Sequence, residues 1–574
     1  MSRSWTRPST VVGMGQLARR IPGLGVLTTY QASWLPKDVV AGLVLTTLLV
    51  PQGMAYAELA GLPAVTGLYT SIMCLLGYAL FGPSRVLVLG PDSSLGPMIA
   101  ATLLPLLGAN GDPTRAVALA SMLALLVGAV MLLAGGARLG FVADLLSRPT
   151  QLGYMNGLAL TILVSQLPKL FGFSIDADGL IDEATGFVRG LVDGKTVGWA
   201  LAVGLGGVAL MLALGRWMPK VPAVLVAVLL SVLIAVPLDL AARGVKLVGR
   251  LPQGFPPFTL PDIAGSDLPL LIGGALGIAL VSLADTISTA SAFAARSGQE
   301  VDGNQEMVAI GMANVVSGLF QGFPVSTSGS RTAVAVQAGA RSQVTGVVGA
   351  GAITLMIVAL PGLLANLPQP TLAAVVIVAS ISLADIPATV RLWGQSRTEF
   401  ALSAAAFLGV ALLGVLPGIA VAVALSILNV FRRAWWPDTA ELGRVDDVAG
   451  YHDLASYPDA ERLPGLTLFR FGAPLFFANA RAFREAVRAM STATPAPRWI
   501  VVTAEPITDL DTSAAEVLGQ LRGELERAGI LLVFAELKDP VKRKMLRFGL
   551  GDQLDPSRSF PTIEAAVAAY RTIP

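Results

Sequence analysis

The chain has little cysteine, histidine or charge. Its 574 residues include one cysteine, Cys74, and one histidine, His452, and 14% of them are charged. A single cysteine excludes a disulfide within the chain and a cysteine-based metal site, and His452 lies outside the apolar region. An ordinary soluble domain has about 25% charged residues. The deficit indicates long apolar segments of the kind that cross a membrane as helices of about 20 residues.

Other classes of protein are also disfavoured. The net charge is +2, so no overall charge favours a nucleic-acid partner. The N-terminal segment 1–30 is basic and polar, without a short apolar core and cleavage site, so we expect a cytoplasmic segment rather than a signal peptide. The sequence contains no nucleotide-binding glycine loop, catalytic triad or metal cluster, and it predicts neither an enzyme nor a cofactor.

Apolar stretches run from about residue 39 to 435 and predict a membrane domain over residues 31–437. They divide into fourteen spans in two sets of seven. The first set covers 39–59, 64–81, 92–107, 114–135, 141–168, 197–216 and 221–238. The second set covers 268–292, 304–321, 330–338, 342–363, 368–384, 399–416 and 417–435.

The third and tenth spans are too short, or too interrupted by glycine, proline and serine, to cross alone. The third follows an extended run ending in Gly90-Pro91, and the tenth follows the run from Phe323 to Gly329. Both stand third in their set. Paired broken segments at matching positions are typical of inverted-repeat transporters, and an odd number of spans per half places the halves in opposite orientations. Two helices broken by chance are the alternative.

Loop charges favour a topology with both termini in the cytoplasm, because basic residues concentrate on the cytoplasmic side. The inside loops then carry Arg85, Arg138, Arg216, Lys220, Arg296, Arg341, Arg391, Arg397, Arg432 and Arg433. One outside loop is acidic at Asp176, Asp178, Asp182 and Glu183. The outside loop with Arg243, Lys246 and Arg250 is an exception to the rule.

The composition changes after Trp436 and predicts a soluble α/β domain over residues 438–574. Strands are predicted at 467–470, 499–502 and 531–534, and amphipathic helices at 480–490 and 513–528. Strands that alternate with helices favour a mainly parallel sheet covered by helices.

The first span carries two polar residues in its middle. Gln52 and Tyr56 are four residues apart and share a helical face, and Pro51 and Gly53 weaken the helical hydrogen bonding there. A buried amide needs a partner, so we expect Gln52 to contact a ligand. Helix packing with an internal hydrogen bond is the alternative.

The third and tenth spans begin with polar residues. The third begins at Asp92, and the tenth at Ser328-Gly329-Ser330-Arg331. If both are half-helices, their N-termini meet near the midplane, where unpaired N–H groups and positive dipole ends form an anion site. Arg331 adds a charge that is costly in a membrane, so we expect it to line a water-accessible site. The alternative is that Ser330 caps the helix and Arg331 pairs with Asp92 or Asp285.

The eighth span contains Asp285, and an intramembrane carboxylate is a functional candidate. It can take up a proton, or it can ligate sodium together with the hydroxyl of Thr289 one turn later. A structural ion pair with Arg331 is the alternative. Asp92 is a weaker candidate for the same role, because aspartate at a helix N-terminus is also an ordinary capping residue.

Asp511 precedes a helix of the soluble domain and is a suitable N-cap. The hydroxyls of Thr512 and Ser513 next to it either accept a phosphate or take part in capping. Capping is the interpretation that the residues themselves favour.

These residues resemble a known family. The run from Pro51 to Pro63, followed by Gly67-Leu68-Tyr69, closely resembles the signature of the sulfate permease (SulP) family of anion transporters. The match continues in Gly82-Pro83-Ser84-Arg85, Gly90-Pro91, Phe323-Pro324-Val325-Ser326 and Ser330-Arg331. The C-terminal domain resembles a STAS domain, with Asp511-Thr512-Ser513 at its strand-to-helix loop. The resemblance covers nearly the whole chain after residue 30.

The resemblance implies fourteen transmembrane segments in two inverted repeats, a core domain that moves against a gate domain, and a homodimer. It places the substrate between the third and tenth half-helices. Carried over by position, the substrate-binding residues are Gln52, Tyr56, Asp92, Ser328, Gly329, Ser330 and Arg331. Family members with an acid at the position of Asp285 are ion-coupled, by protons or sodium. From the residues themselves, Asp92 is a further coupling candidate, and sodium coupling makes Asp285 and Thr289 the metal ligands. In STAS domains that resemble anti-sigma factor antagonists, Ser513 is the phosphorylated position.

The chain departs from the family at Asp92, a position that is hydrophobic in many relatives. A carboxylate beside an anion site repels the substrate unless it is protonated or paired, and this favours proton coupling. In the STAS loop, Ala514 replaces the glycine that often follows the phosphorylated position.

The sequence therefore predicts a secondary active inorganic-anion transporter, a proton-coupled sulfate importer of a bacterial inner membrane. A sodium-coupled bicarbonate transporter and a proton-coupled dicarboxylate transporter are the alternatives within this class. Two other classes stay open. One is an anion channel, which the intramembrane acids disfavour, and the other is a C-terminal domain that recruits a soluble partner to the membrane.

Overall fold

The computed structural model describes residues 22–23, 30–107, 111–140, 147–175, 177, 179–218, 221–297, 301–360, 362, 364–445 and 448–572, without the side chains of 295–297. Most of the N-terminal segment 1–30, Asp176, Asp178, Lys220 and the side chain of Arg296 lie outside the described residues. The chain divides into two compact units, Met1–Ser426 and Ile427–Pro574.

The apolar region is helical. Its first eight helices are α1 (Leu35–Leu59), α2 (Ala64–Phe81), α3 (Gly96–Leu107), α4 (Pro113–Gly136), α5 (Arg148–Leu170), α6 (Leu180–Val192), α7 (Gly198–Trp217) and α8 (Ala223–Ala235). The next eight are α9 (Leu268–Ser297), α10 (Gly303–Leu319), α11 (Gly329–Gln337), α12 (Val344–Ala359), α13 (Gln369–Leu383), α14 (Ile386–Gln395), α15 (Arg397–Leu413) and α16 (Val415–Trp435). All but α6 and α14 coincide with predicted spans, and those two lie in predicted loops.

The all-helical membrane architecture is confirmed, whereas the count of fourteen spans stays a prediction. In the described ranges, seven helical segments are long and apolar enough to cross a membrane. They contain α1, α2, α4, α7, α9, α13 together with α14, and α16.

The third and tenth spans are half-helices, as predicted. Helix α3 has 12 residues and α11 has 9, which at about 1.5 Å per residue is well short of a hydrocarbon core of about 30 Å. Each follows a two-residue strand, β1 (Leu89–Gly90) and β2 (Ser326–Thr327), and the two strands pair in antiparallel fashion. The broken segments of the two halves therefore meet directly through their backbones.

The helices pack in two groups, and the pairings repeat with an offset of seven spans. Helix α4 packs on α10 in the same way that α12 packs on α2, and α5 packs on α15 as α13 packs on α7. We call α1–α4 with α9–α12 the core group, and α5, α7, α8, α13, α15 and α16 the gate group. Helix α1 contacts the gate group through α8 and α13. This arrangement is the one expected of two inverted repeats.

A buried carboxylate joins the beginnings of α1 and α12 in the core group. Asp38, which is 0% exposed, accepts hydrogen bonds from the backbone N–H groups of Arg341 at 2.7 Å and Ser342 at 3.2 Å. It also accepts from the hydroxyls of Ser342 at 2.8 Å and Thr345 at 3.1 Å. One side chain thus satisfies donors that the beginning of α12 leaves without partners.

We expect Asp38→Ala to destabilise the protein by about 3 kcal/mol, because buried donors lose a charged acceptor. The measurement is the midpoint of thermal unfolding in detergent, which should fall by several degrees. Asp193→Ala is the control, since this carboxylate is 56% exposed and, among the described residues, its ion pair is with exposed Lys195 alone. Equal midpoints for the two variants would contradict a stabilising role for the hydrogen bonds of Asp38.

The second unit contains one six-stranded sheet in the order β4–β3–β5–β6–β7–β8. Its strands are β3 (Thr439–Arg444), β4 (Tyr451–Asp453), β5 (Leu466–Phe471), β6 (Trp499–Thr503), β7 (Leu531–Ala535) and β8 (Ser559–Phe560). Its helices are α17 (Ala480–Ser491), α18 (Thr512–Arg527), α19 (Asp539–Arg547) and α20 (Ile563–Arg571). Strands β5 to β8 run parallel to one another, whereas β3 pairs in antiparallel fashion with both β4 and β5.

Alternating side chains of this sheet fill a core on each face. Phe469 and Phe534 pack with α17, α18 and α19 on one face, whereas Leu468 and Val533 pack with α20 on the other. The predicted strands and helices are confirmed to within two residues at each end. The predicted mainly parallel sheet is confirmed too, with an antiparallel edge that the sequence pattern does not indicate.

Candidate functional site

The pairing of β1 with β2 places the first turns of α3 and α11 on either side of a short ladder. Ser328 is the N-cap of α11: its hydroxyl accepts from the N–H of Arg331 at 3.4 Å, and its own N–H donates to the Val88 carbonyl at 3.2 Å. Gly329 and Ser330 follow in the first helical turn and are exposed. First-turn N–H groups have no partner within a helix, so this end of α11 presents donors to an accessible space.

Arg331 lies behind that end of α11 rather than in the open. Its side chain is 1% exposed, and Nη1 donates a hydrogen bond to the Pro91 carbonyl. Nη2 lies 3.6 Å from Asp92 Oδ2, while Nε and Nη2 make no hydrogen bond within the described residues. The expected exposure of Arg331 to water is therefore wrong for this conformation. Of the alternative, the pairing of Arg331 with Asp92 is what the structure shows, whereas capping by Ser330 is wrong, because Ser328 caps the helix.

The Arg331 guanidinium joins the tenth span to the segment before the third, and it fits there because Gly90 has no side chain. A Cβ atom at Gly90 would lie 3.1 Å from Nη1 of Arg331 and 3.3 Å from Cζ. Such contacts are tighter than a side chain ordinarily makes, and the guanidinium would have to move. The glycine of the Gly90-Pro91 motif thus has a specific packing reason in this fold.

Two carboxylates of the core group share one serine. Asp92 Oδ1 accepts from Ser94 N at 2.9 Å and from Ser94 Oγ at 2.8 Å. The same Oγ lies 3.3 Å from Asp285 Oδ2 on α9. Ser94 is 1% exposed. The sequence predicts a role for both acids, but it gives no reason to prefer Ser94 over its neighbour Ser93.

The other predicted residues surround the same place. Tyr56 is buried on α1, and Ser93, Asp92 and Arg331 belong to its electrostatic surroundings. Gln52 is half-buried one turn earlier. On α9, Thr289 faces the start of α11, since a Cβ at Gly329 would lie 3.9 Å from its hydroxyl oxygen. The structure therefore brings Tyr56, Asp92, Asp285, Thr289 and the first turn of α11 close together, while Gln52 is placed only by its position one turn before Tyr56.

Helix α9 also holds β2 in place through hydroxyl groups. Ser282 Oγ donates to the Val325 carbonyl at 3.1 Å. Thr327 Oγ1 donates to Thr286 Oγ1 at 3.2 Å. The helix that carries Asp285 is thereby attached to the segment that leads into α11.

Two polar residues of α5 near Asp285 were missed from the sequence. Gln151 Nε2 donates to Asp285 Oδ1 at 3.4 Å, and Tyr154, one turn further along, is 0% exposed. A polar pair spaced three residues apart in an apolar span is the signal that was present. Its spacing gives no indication of which helix faces it.

The predicted capping role of Asp511 in the second unit is confirmed. Its Oδ1 accepts from Ala514 N at 2.8 Å, and its Oδ2 accepts from Phe477 N at 2.8 Å. Ser513 is exposed in the first turn of α18. A hydrogen bond from the Lys544 ammonium holds the pKa of nearby Asp509 below its usual value. The surroundings of Ser513 therefore contain a helix N-terminus and an ion pair.

Family profiles match both units of the chain. The profile described as the sulfate permease family matches residues 35–406, and the STAS domain profile matches residues 457–566. A probable sulfate transporter of Mycobacterium tuberculosis is 42% identical over 553 residues, which are 96% of this chain and 98% of that protein. Human solute carrier family 26 member 6 is 33% identical over 509 residues, 85% of this chain and 67% of that protein.

Solved structures share the fold. The overall structure of SLC26A9 superposes with a TM-score of 0.89 at 24% identity, covering 100% of this chain and 98% of that one. The transmembrane domain of the cyanobacterial bicarbonate transporter BicA superposes with a TM-score of 0.60 at 22% identity, covering 68% of this chain and 98% of that one. Identities this low show the architecture alone.

Proposed function

Since this chain belongs to the sulfate permease family, an anion-transporting family, we propose that it is a proton-coupled importer of sulfate. The substrate is proposed from the Mycobacterium tuberculosis relative, which is named a probable sulfate transporter. The proposed path of the anion passes the accessible first turn of α11, between the half-helices. The proposed coupling group is Asp285, together with Asp92.

The chemistry of the half-helix ends supports an anion as the substrate. Exposed Gly329 and Ser330 offer backbone N–H groups at the positive end of α11. Ser328 and Ser330 add hydroxyls, which lie 3.0 Å apart. Arg331 contributes its charge from behind, and Asp92 at 3.6 Å neutralises that charge. An entering anion competes with the Asp92 carboxylate for this positive field, so protonation of Asp92 favours binding.

The contact that carries the proton proposal is the serine shared by two acids. Ser94 Oγ has one proton, which it donates to Asp92 Oδ1 at 2.8 Å. The same Ser94 oxygen lies 3.3 Å from Asp285 Oδ2. Because its proton is already donated to Asp92, it can only accept a hydrogen bond from Asp285. The contact with Asp285 is favourable when Asp285 carries a proton and donates it to Ser94. Two ionised carboxylates on one hydroxyl leave one contact repulsive, which favours one shared proton in this conformation.

Proton coupling also makes uptake of a dianion energetically reasonable. Entry against an inside-negative potential costs about 2.3 kcal/mol per charge per 100 mV. Two protons per sulfate make the cycle electroneutral, and three make it electrically favourable. A pair of carboxyl groups in contact through Ser94 supplies more than one site for protons.

A sodium-coupled bicarbonate transporter is the second candidate, because Asp285 and Thr289 lie one turn apart on α9 beside the start of α11. Their oxygens are suitable sodium ligands, and a cation there also relieves the contact at Ser94. A proton-coupled dicarboxylate transporter is the third candidate. An anion channel is disfavoured by the intramembrane acids.

Uptake into proteoliposomes separates these candidates. The purified protein is reconstituted and given labelled sulfate, bicarbonate or succinate under an imposed proton or sodium gradient. We expect accumulation of sulfate that depends on an inward proton gradient and is indifferent to sodium. Sodium-dependent and pH-independent accumulation would refute the proton proposal, and currents that do not saturate with anion concentration would indicate a channel.

The proposed setting is a homodimer in a bacterial inner membrane, with both termini in the cytoplasm. The Mycobacterium tuberculosis relative supports the bacterial location. The second unit is proposed as a cytoplasmic regulatory domain that binds a soluble partner. Exposure of Ser513 at the beginning of α18 supports its proposed role as a phosphorylation site.

A further inference from the structure

Helix α5 is tightly packed within the gate group. An added Cβ at Gly153 would lie 2.1 Å from the Ser403 carbonyl oxygen, and one at Gly157 would lie 2.8 Å from Val410 Cβ. Both contacts are with α15. Backbones that approach this closely allow little relative movement, so α5 and α15 behave as one body. Polar side chains on the other faces of α5 are therefore held in place by the gate group.

One of these side chains crosses to the core group. Gln151 Nε2 donates to Asp285 Oδ1 at 3.4 Å, while α9, which carries Asp285, packs on α3, α4 and β2. At the other end of α5, Lys169 Nζ donates to the Glu58 carbonyl of α1 at 3.2 Å. Helix α5 thus bonds to the core group at both ends, and only the bond at Gln151 involves a group that can change its charge at the site.

Tyr154 is the second polar side chain beside Asp285. It is 0% exposed. The Gln151 side chain interacts with its hydroxyl, but the hydroxyl makes no well-formed hydrogen bond within the described residues. The polar groups in its surroundings are Gln151, Asp285 and Asp92. Buried hydroxyls are rarely left without a partner. A buried donor without a well-formed bond, one turn from the Gln151 amide that contacts Asp285, is suited to bond to this carboxyl group in another arrangement of α5 and α9.

We propose that Gln151 and Tyr154 form a gate-side receptor for the Asp285 carboxyl group and couple its charge to the movement of the core group. The inference rests on the proposed role of Asp285 in coupling. Both are positioning residues, since they act through Asp285. The groups facing Asp285 are Ser94 and Asp92 from the segment before α3, Gln151 and Tyr154 from α5, and Thr289 on α9 itself, with Arg331 beyond Asp92.

The direction of the effect follows from the hydrogen bonds. An ionised Asp285 accepts from both the Gln151 amide and the Tyr154 hydroxyl, and charge-assisted bonds are about twice as strong as neutral ones. A protonated Asp285 turns one oxygen into a donor toward Ser94 and holds the α5 donors more weakly. Ionisation therefore favours the arrangement in which both α5 donors reach Asp285, so that the empty, deprotonated carrier returns to it, and protonation releases the core group for movement with its proton and anion.

The test compares Tyr154→Phe and Gln151→Leu with the unchanged protein in proteoliposomes. We expect both variants to lose most of the several-fold stimulation of sulfate uptake by an inward proton gradient. Sulfate exchange at equal pH on both sides should persist in both variants. The ratio of the exchange rate at pH 8 to that at pH 6 should be higher than in the unchanged protein, because the ionised Asp285 no longer bonds to both α5 donors. Thr161→Val is the control, since in the part of the chain that the structure describes this hydroxyl bonds to the Gly157 carbonyl of its own helix and to no other group.

Thermal unfolding distinguishes coupling from structural damage. Tyr154→Phe removes a hydroxyl that makes no well-formed hydrogen bond within the described residues, so its midpoint should be unchanged or higher while the pH response is lost. Unchanged proton stimulation in both variants would overturn the receptor but leave the proposed function intact. Absence of any proton stimulation in the unchanged protein would overturn both.

Discussion

Replacing Asp285 with asparagine is expected to abolish concentrative sulfate uptake while sulfate exchange continues. Asparagine keeps the size of the side chain and its contacts with Ser94 and Gln151, which lie 3.3 and 3.4 Å away. It cannot bind or release a proton. The variant then resembles the protonated carrier. We expect it to move with the anion, but a proton gradient cannot drive it.

The measurement is uptake of labelled sulfate into proteoliposomes under an inward proton gradient, beside exchange with internal unlabelled sulfate. We expect accumulation to fall at least tenfold, to the level reached at equilibrium, and exchange to stay within a few-fold of normal. Asp302→Asn is the control, because this exposed residue caps α10 and asparagine caps equally well. Concentrative uptake that survives in Asp285→Asn would remove this residue from the coupling mechanism.

The second large effect is expected from Arg331→Gln, which should abolish both uptake and exchange and also lower stability. The guanidinium donates to the Pro91 carbonyl and lies 3.6 Å from Asp92. Its removal leaves Asp92, which is 16% exposed, without a counter-charge. Breaking a buried ion pair by removing one partner costs about 3–5 kcal/mol. The first turn of α11 also loses the positive charge behind it.

A double variant separates these two consequences. Adding Asp92→Asn to Arg331→Gln removes the unpaired charge, so we expect the midpoint of thermal unfolding to recover by more than half while transport stays at least 100-fold reduced. Arg216→Gln is the control, because it removes an exposed arginine at the end of α7. Recovery of transport in the double variant would show that Arg331 serves only to neutralise Asp92.

The positions of the helices could be predicted because each depends on a local pattern. Apolar runs such as 64–81 coincide with a helix, Ala64–Phe81, at both ends. The half-helices follow from interruption by Gly90-Pro91 and by the run around Ser328. Helices α6 and α14 escaped prediction because their apolar faces are narrow and their polar residues resemble those of loops.

The neighbours within the site could not be predicted, since they come from distant parts of the chain. Ser94 and Asp285 are 191 residues apart, and Gln151 and Asp285 are 134 apart. No local pattern says which hydroxyl or amide will face an acid. The same limit explains the wrong expectation for Arg331. The chain leaves β1 at Pro91, whose carbonyl accepts a hydrogen bond from the buried guanidinium, and no local pattern in the sequence indicates this contact.

The two-residue ladder between β1 and β2 has a consequence for the direction of transport. Because backbone hydrogen bonds join the strands that lead into the two half-helices, we expect the two helix ends to shift as a single piece and to present the same donors to an anion from either side of the membrane. Under the proposed proton coupling, a carrier built this way has no preferred direction of its own, and the pH difference and voltage across the membrane set the sulfate level that it sustains.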